Sequence, residues 1–271
     1  MPVLWLRVAV LFYAVGLMYA LVAVSRGHEL LRKIALPAMS LGMVFQFVAL
    51  AEEGLLSRQL LTASIHNSES LLAFVVMVVF MLVYAFYRTV SPGIVAFPIV
   101  FLLTFVSALG QQPFLDTSGG LRTGWLLAHI GLIFTGYAAL FLSFGASLLY
   151  LLQERALKSK NQIRILTSLP PLGTIDEIGY RSLLLGFPFM TLGLIAGSVV
   201  AQAKFGPSYF TDSKVLLSLL MWAVYLILLY TRWSAGWRGR RAAYLASAAF
   251  VVAIVAWAAN FFSGMHRFVQ S

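Results

Sequence analysis

The chain has 271 residues, 61% of them hydrophobic and only 10% charged, with a mean hydropathy of +0.91. That leaves too little polar surface for a soluble domain of this size, so the composition is that of an integral membrane protein. The formal charge of +10 is scattered over short connections without a basic domain, which argues against nucleic-acid binding, and the absence of cysteine excludes disulfide exchange and thiolate metal sites within the chain.

A membrane-spanning helix needs ~20 apolar residues, and the sequence divides into eight such stretches. They lie near 4–24, 34–51, 68–87, 94–111, 124–152, 182–203, 214–231 and 242–263. The runs are too long, and lack the alternation, for barrel strands, so the expected fold is an all-α bundle in one membrane domain, residues 1–271. The first stretch has Arg7 alone near its start and is followed by Arg26, Arg32 and Lys33, flanks that suit a retained first helix rather than a cleaved signal peptide. Before the third, Asn67 or Ser68 is placed to cap the helix, with Glu69 in its first turn. The fifth stretch is long enough to tilt or to leave the bilayer.

The longest connection, roughly 153–181, is basic at first and then reads Leu169-Pro170-Pro171-Leu172-Gly173-Thr174-Ile175-Asp176-Glu177. The double proline forces an extended or turned entry, and Thr174 with the two acids marks a helix start. A short amphipathic helix at the membrane interface is expected there. No internal repeat is visible, nor a phosphate-binding glycine loop, a paired-histidine zinc motif or a G-x-S-x-G elbow.

Orientation follows from the cations. Of the 19 Lys and Arg residues, 13 fall in the connections after the first, third, fifth and seventh stretches, and six fall elsewhere. The positive-inside bias puts those connections in the cytoplasm and both termini outside. It also implies attraction to anionic lipid headgroups. His28 then lies in a cytoplasmic, solvated loop.

The other three histidines gather on the outer side. His66 opens the third stretch, His129 lies about one and a half turns into the fifth, roughly 8 Å below its start, and His266 follows the last. Trp125 precedes His129, and the sixth connection, from Phe205 through Gly206, Pro207, Ser208, Tyr209, Phe210 and Thr211 to Asp212, shares their side. Imidazoles beside aromatic surface at a bilayer edge suit an apolar, iron-containing ring, and haem is the leading candidate. Singly, each feature has a plainer reading. A membrane-embedded histidine can bond to a neighbouring helix, a terminal one is ordinarily solvated, interfacial aromatics are common, and Asp212 can cap the seventh helix.

Several segments in the order and spacing found here carry a family resemblance. They are His66-Asn67-Ser68-Glu69-Ser70-Leu71, Leu127-Ala128-His129-Ile130 with Gly136-Tyr137-Ala138-Ala139, and Leu169-Pro170-Pro171-Leu172. Further on come Ile178-Gly179-Tyr180-Arg181, Gly186-Phe187-Pro188 and Thr191-Leu192-Gly193, then Trp222, Tyr225 and Arg232. Gly236-Trp237-Arg238-Gly239-Arg240-Arg241 and Met265-His266 complete the set. Over roughly 64–268 the chain resembles the haem-handling cytochrome c assembly proteins of the CcsA/CcmC type, and more closely their HemX/YpjD-like relatives. The resemblance implies haem b held non-covalently, with His129 and His266 as axial ligands of the iron and His66 nearby. It implies a bacterial inner-membrane protein that presents haem to maturation partners by ligand exchange, without itself catalysing a reaction. It also implies a haem platform of the form W-G-x-x-W-x-W-D, in which Phe205, Tyr209 and Thr211 replace the tryptophans here while Gly206 and Asp212 remain. Two other readings stand beside it: a regulator of haem synthesis acting on a synthesis enzyme through its basic loops, and a small-molecule transporter or structural subunit. The few ionisable groups at mid-membrane depth count against transport.

Overall fold

The computed structural model describes residues 2–26, 28–56, 65–110, 120–159, 169–205 and 213–258. Among them there is no strand, and eight helices of 17 residues or more account for nearly all of these described residues. They are α1 Pro2–Arg26, α2 Leu36–Leu56, α3 Ile65–Tyr87, α4 Gly93–Leu109, α5 Gly120–Ser159, α6 Leu172–Phe205, α7 Ser213–Trp233 and α8 Arg240–Ala258. Six are long and apolar enough to cross a membrane: α1, α2, α3, α5, α6 and α7. The fourth is apolar but has 17 residues, and α8 opens on Arg240-Arg241. The chain is a multi-pass, all-helical membrane protein.

Each of the eight expected stretches meets a helix, and two local expectations need correction. The double proline is followed directly by α6, so the interfacial helix expected near Asp176 is the first turns of a continuous 34-residue helix. Its first turn closes on Pro171, whose carbonyl accepts from the Thr174 and Ile175 amides. Asn67 does not cap α3. The helix begins at Ile65, and the buried Asn67 side chain donates to Glu53 of α2 instead. The fifth helix is long, as expected: it has 40 residues, about 60 Å at 1.5 Å per residue, against a hydrocarbon core of about 30 Å.

The chain forms two compact units, residues 1–118 with 149–175 and residues 119–148 with 176–271. In the first, α1 packs along α2 and α4, and α3 along α4. Small residues set the spacing: Gly16 lies under Met39, and Gly42 under the Tyr13 ring. The entry to α2 is a π-helical turn, Leu31–Ala35. Pro37 explains it, because its ring clashes with the carbonyl four residues back, at Lys33, and the turn widens to avoid that clash. The core of this unit holds a polar node. Tyr13 donates to Gln46 Oε1 (2.7 Å), while Gln46 Nε2 reaches the Ser70 carbonyl (3.0 Å) and Thr104 Oγ1 (3.3 Å), joining four helices. In an apolar core such a satisfied node fixes the helix register.

The second unit is built from α7, α8 and most of α5 and α6 around a cluster that includes Leu140, Met190, Met221, Tyr225 and Ala249. Two glycines at φ +63°, Gly236 and Gly239, make the tight turn between α7 and α8, a conformation that side-chain-bearing residues resist.

Candidate functional site

His129 is the tenth residue of α5, about 14 Å along the helix from its start at Gly120, deeper than a start at Gly124 implies. Its ring is half-buried and lies against α6. Nδ1 donates a hydrogen bond to the Gly193 carbonyl at 2.6 Å. A carbonyl can only accept, so Nδ1 carries a proton, and in the neutral imidazole the lone pair is then on Nε2. One turn further along α6, Gly197 lies against the ring edge, and a Cβ there would overlap Cε1 and Nδ1 of the imidazole. Trp125, four residues before His129 and so on the same face of α5, is 54% exposed.

This contact is one rung of a ladder between the antiparallel helices α5 and α6. Ile133 lies on Gly193, Gly136 on Met190, Ala139 on Gly186, and Ser143 and Ala146 on Gly179. Small residues let the two backbones approach, as membrane helices require when lipid offers no hydrophobic drive to associate. The third helix of the site, α7, is tied in by polar groups. Trp222 Nε1 donates to Thr191 Oγ1 (3.0 Å), and the Tyr225 hydroxyl, fully buried, sits against Gly186 and reaches the Gly136 carbonyl (3.5 Å). Phe187 stacks on Trp222 at 5.9 Å.

At the opposite end of the unit, Arg232 of α7 grips Asp176 of α6 with both guanidinium arms, one at 2.7 Å, and lies 4.9 Å over the Tyr180 ring. The same carboxylate accepts from the Gly239 amide at 3.0 Å, which pins the turn before α8. The bidentate pair is mostly buried, so it fixes geometry as well as charge.

Of the residues singled out from sequence, the structure puts Trp125 and His129 on one face of α5. His66 is in the first turn of α3, in the other compact unit, and its side chain lies outside what is described. Phe205 ends α6, again without a described side chain, while Gly206, Tyr209, Phe210, Asp212 and His266 lie outside the described residues. Sequence reasoning missed Gly193 and Gly197 as partners of His129. The signal was there, two glycines four residues apart in an apolar helix. It also missed the Asp176–Arg232 pair, whose sign was an acid among basic connections.

The family described as Cytochrome C assembly protein matches residues 5–266, almost the whole chain. The chain belongs to that family. Among curated relatives, the cytochrome c biogenesis protein CcsA of Guillardia theta is 30% identical over 165 residues, 55% of each chain. CcsA of Prochlorococcus marinus strain MIT 9312 is 31% identical over 169 residues, also 55% of each. CcsA of Mesostigma viride is 29% identical over 189 residues, 61% of this chain and 62% of that one. The chain thus spans little more than half the length of the curated relatives it matches.

Proposed function

We propose that this chain acts in cytochrome c maturation as a haem-handling protein of the bacterial inner membrane, holding haem b non-covalently near the outer ends of α5 and α6. Membership of the cytochrome c assembly family and the names of the relatives support the pathway. The observation that carries the site is the hydrogen bond from His129 Nδ1 to the Gly193 carbonyl. Iron-ligating histidines characteristically donate their second ring nitrogen to a carbonyl or carboxylate, which fixes the tautomer and makes the ligating nitrogen more basic. The donor set therefore fits the group: Nε2 of His129 as one axial ligand, Gly197 leaving room for the ring, and exposed Trp125 offering apolar surface one turn away. Bound haem would supply an iron with two axial positions for nitrogen ligands. By resemblance His266 is the second ligand, His66 stands near the path of entry, and Phe205, Gly206, Tyr209, Phe210 and Asp212 form the cover. Other maturation subunits are the expected partners.

The replacement of platform tryptophans by Phe205, Tyr209 and Thr211 favours the HemX/YpjD-like branch and gives the second reading: a membrane regulator of haem synthesis with weak haem affinity.

The test is the visible spectrum of the detergent-purified protein, oxidised and then reduced with dithionite, in wild type and His129→Ala. A Soret band with sharp reduced bands is expected in wild type and largely lost in a variant of unchanged helix content. A wild type that is colourless and takes up no added haem overturns the haem proposal and leaves the regulator.

A further inference from the structure

The α7–α8 turn carries more positive charge than its own unit can neutralise. Residues 119–148 and 176–271 contain three acids, Asp176, Glu177 and Asp212. Asp176 is held by Arg232 and by the Gly239 amide, and Glu177 pairs with Arg181 at 2.6 Å. Asp212 comes before α7 in the sequence, whereas the turn follows that 21-residue helix. Arg238, Arg240 and Arg241 follow α7, and all three are exposed. Arg240 lies over the Tyr244 ring, 5.5 Å from its centroid, and donates to the Tyr244 hydroxyl at 3.2 Å. Among the described residues no ion pair takes Arg238 or Arg241.

Three further observations select the counter-ion. The turn is rigid, since Asp176 pins Gly239, and the Trp237 amide donates to the Thr231 carbonyl at 3.1 Å. It opens α8, whose first-turn amides and positive dipole end favour an anion. Large aromatics flank it: Trp233 is 87% exposed, Tyr230 65% and Tyr244 54%. Amphipathic rings of this kind sit at the headgroup level of a bilayer, where one side is apolar and the other wet. A soluble acidic partner would explain the arginines but not this aromatic rim.

We propose that the α7–α8 turn is a binding site for the headgroup of an anionic phospholipid. Arg238, Arg240 and Arg241 hold the phosphate, and Trp233, Tyr230 and Tyr244 lie along the glycerol and upper acyl region.

The purified full chain is mixed with phosphatidylglycerol or phosphatidylcholine, and retained lipid is read by native mass spectrometry. Wild type should retain phosphatidylglycerol preferentially. Affinity should fall roughly fivefold for each arginine removed, so Arg238→Gln with Arg241→Gln together should cost about 25-fold. The double lysine variant at these two positions, which keeps the charge, should retain most of the binding. Arg181→Gln, which removes a cation already paired with Glu177, should leave it unchanged. Equal retention of the two lipids, or an equal loss in Arg181→Gln, overturns the proposal. Displacement by millimolar inorganic phosphate would make this a free-anion site, and displacement by polyglutamate a protein-docking site; either also overturns it.

Discussion

His129 shows how the state of a single side chain is set by its neighbours. The imidazole is on α5, yet the carbonyl that sets its tautomer and the glycine against its edge are both on α6. Adding a methyl group at Gly197 must push the ring away, because the new Cβ would overlap it. Gly197→Ala should therefore weaken haem uptake about 10- to 100-fold, the usual cost of disturbing the support of a ligating histidine, without loss of helix content. Titration with haem in detergent measures this. Gly173→Ala is the control, since nothing lies within 4 Å of a Cβ there. Equal affinity in Gly197→Ala and wild type would remove this support from His129. The histidine itself was legible in the sequence, as a polar residue where an apolar span should be uniform. Its tautomer was not, because it depends on a backbone carbonyl 64 positions away.

At the scale of the helix, the existence of all eight elements was legible and their ends were not. Apolar runs mark what must be in lipid, whereas a helix continues for as long as its backbone bonds can be made. Asp176, Glu177 and Arg181 interrupt the hydropathy of α6, yet its helix persists through them because Arg232 and Arg181 take up the two acids. The spacing of Gly179, Gly186, Gly193 and Gly197 was also visible, but which helix fills each notch is a tertiary fact. Gly186 offers the sharpest test. The Tyr225 hydroxyl and Ala139 occupy the place of its missing Cβ, and both are buried. Gly186→Ala should destabilise the protein by about 1–3 kcal/mol through overpacking, seen as a lower midpoint of thermal unfolding in detergent. Tyr225→Phe removes the atom in the way, so the double variant should be more stable than Gly186→Ala alone. Strict additivity of the two changes would mean that they do not meet.

For the molecule as a whole, the distribution of charge decides which compartment each end of the bundle faces. Thirteen of 19 cations fall in alternate connections, and that bias should place both termini, the outer ends of α5 and α6, and with them His129, away from the cytoplasm. The α7–α8 turn with Arg238, Arg240 and Arg241 should then face the cytoplasm, where anionic lipid is met. The chain contains no cysteine, so a single introduced thiol reports its own side without background. Ser234→Cys, exposed in the turn after α7, should resist a membrane-impermeant maleimide in intact cells and react once they are opened. Ser118→Cys, in the connection between α4 and α5, should react in intact cells. The reverse pattern would put His129 at the cytoplasmic end of its helix. Its hydrogen bond to Gly193 would stand, but presentation of haem at the outer face would fail, because the ligand would meet the wrong compartment.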